Sequence, residues 1–166
     1  TALKEASQPL IISGTGAMSQ ALIAAAANIA TALNDGDKKA NLALVSAEAN
    51  SMGLALLMEN SANSLDEAMA SNAKNAIVLE NDLYRRASSN SVDSFISGLD
   101  QLAVLDSLKT RTGEQANLVL AAGTFAETSG TFVNYEVRAQ HYYSVFKPVE
   151  AIRSSSFWLN DKKLSE

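Results

Sequence analysis

Five short, uninterrupted apolar runs govern what this chain can fold into: LII at 10–12, LALV at 42–45, AIVL at 76–79, LAVL at 102–105 and LVL at 118–120. A strand with one face in water alternates apolar and polar residues. A strand of a parallel sheet is covered on both faces and reads as a continuous apolar run. The segments between these runs carry helical spacing or capping residues. Strand runs alternating with helical segments predict an α/β fold, here a Rossmann-like three-layer domain with a mostly parallel sheet of about five strands. A chain of 166 residues fits one such domain, residues 1–166, and is long enough to bury a core.

The first run stops at Gly14 and Gly16. Met18, Leu22, Ala25, Ile29 and Leu33 then form one helical stripe, expected to set Ala25 and Ala26 against the sheet. Asn34-Asp35-Gly36-Asp37 has the chemistry of a turn. Helical segments are expected at 63–70 and 93–99, a short helix or coil at 51–58 and a helical or turn segment at 112–116, with Glu80-Asn81-Asp82 capping a helical turn after the third run. Residues 1–8 read as a polar lead-in. Residues 132–146 break the rhythm, being extended, aromatic and alternating. They predict a C-terminal crossover, followed by a closing helix at 150–160 that packs through Ile152, Phe157 and Trp158.

A net charge of −5 and a pI near 4.9 argue against nucleic acid and anionic lipid as partners. Without cysteine the chain can supply no disulfide, zinc thiolate or iron–sulphur ligand. The most apolar segment, 17–33, contains Ser19, Gln20, Asn28 and Thr31 and is shorter than the roughly 20 apolar residues of a membrane span. No signal peptide is visible. A start at Thr1 and an end on KKLSE are expected of a fragment of a longer chain.

Three places could carry chemistry. ISGTGAMS at 12–19 follows a strand and opens a helix, as a dinucleotide fingerprint does. The third glycine of that fingerprint is replaced by Ser19, and the ribose-binding acid at the end of the second strand by Ser46, with Glu48 loosely placed. A nucleotide module using Gly14 and Gly16 is therefore a weaker reading than a tight turn. In the crossover, Asn134, Glu136, Arg138 and Gln140 share one face if the segment is extended, and Val133, Tyr135, Val137 and Ala139 share the other. Arg138 presents a planar fork suited to a carboxylate or phosphate, or it pairs with Glu127 or Glu136 and fixes the crossover. His141 is the sole histidine and lacks a patterned second ligand. Asp82, Asp100 and Asp106 sit where capping is expected, and Lys38-Lys39 and Arg85-Arg86 read as solvated charge.

The run NLVLAAGTFAETSGTFVNYEVRAQ at 117–140 resembles a signature of the molybdopterin oxidoreductase superfamily. Val119-Leu120, Glu127, Gly130-Thr131, Asn134, Glu136, Arg138 and Gln140 match in order and spacing. Ala121 stands for the usual Pro and Val137 for the usual Gly. The superfamily includes enzymes that carry molybdenum or tungsten on a pterin. It also includes the large iron–sulphur subunits of the proton-pumping NADH:quinone oxidoreductases, which keep the fold without the pterin. The wording VLENDLYR at 78–85 resembles the second branch, because relatives of the first run into a Gly-x-Asn-Pro turn where this chain has Glu80-Asn81-Asp82.

That resemblance implies a non-catalytic structural domain, with no cofactor, metal or catalytic residue of its own. It would belong to a complex that passes electrons from NADH through iron–sulphur clusters to quinone and pumps protons. The clusters would lie in an N-terminal part that this sequence lacks. Its partners would be other subunits of the peripheral arm, on the cytoplasmic side of the bacterial inner membrane, with no insertion into the membrane. The alternative is a domain of a true pterin enzyme, in which Gly14, Gly130, Thr131, Asn134 and Arg138 would line the cofactor cleft.

Overall fold

The computed structural model describes residues 2–17, 19–34, 39–58, 64–149 and 151–160. Met18, Asp35, Gly36, Asp37, Lys38, Asn63, Glu150 and the KKLSE tail, all used in the sequence reading, lie outside the described residues. Helices and parallel strands alternate, so the fold class is α/β. All five apolar runs are strands. They form a two-stranded parallel sheet and a three-stranded parallel sheet. The chain correspondingly forms two compact units, Thr1–Glu59 with Phe132–Gln140, and Asn60–Thr131 with His141–Glu166.

In the first unit a short helix α1 (Ala2–Glu5) replaces the expected lead-in and precedes strand β1 (Leu10–Gly14). A single 3-10 turn, Thr15–Ala17, leads to helix α2 (Gln20–Leu33). Strand β2 (Asn41–Val45) lies parallel to β1, from Leu10 opposite Asn41 to Gly14 opposite Val45, and helix α3 (Ser51–Met58) follows. Ser19 caps α2 by accepting from the Leu22 amide at 3.3 Å. The buried residues of α2 are Ala26 and Ala30, with Ile23, Ala27 and Leu33 partly covered beside them, whereas Leu22, Ala25 and Ile29 are exposed. The expected stripe is thus rotated: Ala26 packs inward and Ala25 does not. Alanine at the buried positions lets the helix backbone come close to its neighbours.

The second unit begins with helix α4 (Leu65–Ala70), opened by a capping box in which Ser64 and Glu67 satisfy each other's backbone amides. Strand β3 (Asn75–Leu79) and helix α5 (Ser89–Ser97) follow, then strand β4 (Gln101–Asp106), helix α6 (Arg111–Glu114) and strand β5 (Leu118–Ala121). The three strands are parallel in the order β3-β4-β5, with Val78, Val104 and Val119 in one row. Val78, Leu83, Val92, Leu102 and Val104 form the core, and Val92 and Val104 are fully buried. Gly130–Val133 (β6) and Ala139–Tyr142 (β7) form a two-stranded sheet, and a last helix, α7 (Ser155–Asn160), fills the end of the expected closing helix.

The buried polar residue of this core is Thr112, with no exposed surface. Its hydroxyl donates to Asp82 Oδ1 at 2.7 Å and accepts from the Leu83 amide at 2.8 Å. Asp82 Oδ1 also accepts from the amides of Tyr84 and Thr112, both at 3.3 Å. Partial burial pushes the Asp82 carboxyl up, but hydrogen bonds from Thr112 and from the backbone outweigh it and leave the pKa below its ordinary value. Replacing Thr112 with Val keeps the shape and orphans the Leu83 amide. That loss should cost about 1–3 kcal/mol, read as a lower denaturant midpoint with unchanged slope. A depressed folded-state pKa means stability that is complete above the unfolded-state value and is lost as pH falls through the folded-state value. Acid titration of unfolding, from about pH 5 downward, should therefore be shallower in Asp82→Asn than in the parent chain.

Candidate functional site

Ligands of open α/β sheets bind outside the carboxyl ends of the strands. In the first unit those ends are the Gly14-to-Ala17 turn after β1 and the Ser46-to-Asn50 segment after β2. A Cβ at Gly14 would lie 2.0 Å from the Val45 carbonyl oxygen, so glycine is required there by the neighbouring strand itself. A Cβ at Gly16 would meet nothing within 4 Å. Ser19, at the place of the fingerprint's third glycine, is the cap of α2. Thr15 Oγ1 accepts from the Ala47 amide at 3.0 Å, and the Tyr135 hydroxyl accepts from the Ser46 amide. Asn50 Oδ1 accepts from the Val133 amide at 2.9 Å. Glu48 is turned to α3, where Ser51 Oγ donates to both its carbonyl and its carboxylate. Two clefts adjoin these ends: one of about 200 Å³, lined by Ser46, Ala47, Glu48, Met52, Val133 and Tyr135, and one of about 700 Å³, lined by Gly14, Gly16, Val45, Ser46 and Ala47 with Leu22 and Ile29 of α2.

Sequence reasoning missed the roles of Thr15, Asn50 and Tyr135. Alternation placed Tyr135 on the apolar face with Val133 and Val137. The one available signal was its hydroxyl, a hydrogen-bonding group set among valines.

The crossover is not extended between 134 and 138, so the four polar residues do not share a strand face. Residues 134–138 form the tight turn between β6 and β7. Asn134 Oδ1 accepts from the amides of Glu136 and Arg138, each at 3.0 Å, and the Asn134 carbonyl accepts from the Val137 amide at 3.0 Å. An Asn side chain competes well for nearby backbone donors, and here that local bonding prevails over alternation. Arg138 pairs with Glu136 at 3.4 Å, both side chains being mostly exposed. Of the two acids weighed for that pairing, it is Glu136.

Glu127 and Thr131 of the signature also have local partners, and Gln140 is exposed. Glu127 Oε2 accepts from the amide and hydroxyl of Thr124 at 3.0 and 2.9 Å, closing a turn in the second unit. A Cβ at Gly130 would lie 2.7 Å from the Tyr142 hydroxyl oxygen. Thr131 Oγ1 is 3.2 Å from His141 Nδ1, and the His141 ring meets Tyr143 edge-on at 4.7 Å. Asn117 Oδ1 accepts from the Leu102 amide at 2.7 Å. Asp106 accepts from the Leu108 amide at 2.9 Å, the capping expected of it. Of the five residues of the alternative pterin cleft, Gly14, Asn134 and Arg138 belong to the first unit and Gly130 and Thr131 to the second. Among the described residues no three His, Cys, Asp or Glu side chains group to hold a metal ion, and no helix is long and apolar enough to cross a membrane.

At Val137 in the signature, and at Glu80 before it, the backbone has a conformation that favours glycine. Among the described residues, the non-glycine positions with positive φ are Glu80, at 47°, and Val137, at 61°. Both stand where the resemblance expects glycine or small neutral groups, and both lie in the left-handed region that a Cβ disfavours. A β-branched residue is the poorest fit there. Val137 is exposed, so glycine at this position removes little packing. Val137→Gly should raise stability by about 1 kcal/mol, the strain relieved less the added entropy of the unfolded chain, read as a higher denaturant midpoint.

Residues 1–157 match the molybdopterin oxidoreductase family. The chain is 47% identical over 149 residues to the G subunit of the NADH-quinone oxidoreductase of Shewanella oneidensis, covering 88% of this chain and 16% of that protein. It is 47% identical over 148 residues to the Pseudomonas fluorescens G subunit and 40% identical over 151 residues to that of Escherichia coli K12, in each case covering 89% of this chain and 16% of the relative. The chain therefore spans about a sixth of the length of these relatives, and, with the family's match running through nearly all of it, it belongs to the molybdopterin oxidoreductase family.

Proposed function

We propose that this chain is a cofactor-free structural domain of the G subunit of an NADH-quinone oxidoreductase. The complex would carry electrons from NADH through iron–sulphur clusters to quinone, coupled to proton pumping. The clusters would lie elsewhere in the full protein, since this chain has no cysteine. The domain would sit in the peripheral arm, on the cytoplasmic side of the membrane, and contact neighbouring subunits.

One observation carries the reading. Polar side chains of the family signature other than the exposed Gln140 are engaged by the chain's own groups: Asn134 by its turn, Arg138 by Glu136, Thr131 by His141 and Glu127 by Thr124. A pterin cofactor with its phosphate is anionic and needs convergent donors. These residues do not fit that need, because their hydrogen bonds close turns and pair neighbours. Glu80 adds a carboxylate where small neutral groups are expected, and Gly14 faces the Val45 carbonyl. The names of these relatives, each the G subunit of an NADH-quinone oxidoreductase, support the same assignment.

The test is elemental. The full-length protein, purified gently from its native cell, should contain iron, co-purify with other subunits and show NADH oxidation, with no stoichiometric molybdenum or tungsten. Stoichiometric molybdenum or tungsten with released pterin would refute the proposal.

A further inference from the structure

We draw no further inference here: the strongest candidate, the apolar cleft of about 700 Å³ between α2 and the carboxyl ends of β1 and β2, carries nothing because nothing in the structure shows what covers it.

Discussion

The Thr112 hydroxyl is the contact on which the second unit depends. It is fully buried, donates to Asp82 and accepts from the Leu83 amide, and so joins the turn after β3 to the start of α6. A buried hydroxyl is costly unless both its roles are met. Here both are, and each partner in turn has a structural role: Asp82 caps the 3-10 turn and Leu83 enters the core. The ends of β3 and β4 are set by this node, because the turn it closes begins one residue after Glu80, whose amide is bonded to the last apolar residue of β4.

How much of this could be read beforehand depends on what each residue type can encode. The five strands were legible because a strand covered on both faces needs an unbroken apolar run. Their pairing was not, because an apolar run states burial and not partner; Ile12 and Ile77 look alike in sequence. The face of α2 was illegible for a related reason. Leu22, Ala25, Ile29 and Leu33 form one apolar stripe, and Ile23, Ala26, Ala30 and Leu33 form another. A helix apolar on both stripes gives periodicity nothing to choose between. Only the size of the residues separates them, the smaller alanines lying buried.

The candidate site divides in the same way. Order and spacing of the signature identified the family, but alternation misjudged its conformation. From Asn134 to Gln140 polar and apolar residues alternate as in a strand, yet Asn134 can bond the amides two and four residues on, and the chain turns. The interactions that close the end of β2 come from Tyr135 and Asn50, across sequence distances that no local pattern reports.

Glu80 and Val137 connect these findings. At each, backbone geometry asks for glycine and the chain supplies a side chain. A glycine at such a turn serves two needs: it permits positive φ, and it leaves room for something to approach the backbone. Retaining the first without the second explains the pattern. The turn persists with its left-handed residue, at a cost of about 1–3 kcal/mol, while the space beside it is no longer reserved. At Glu80 the added side chain has acquired a contact, the Ser155 hydroxyl, which a glycine could not make. At Val137 the side chain points to solvent and acquires none that the structure shows. The two replacements are therefore unequal in effect: the first converts an open approach into an anchor within the second unit, whereas the second leaves strain in an exposed turn of the first.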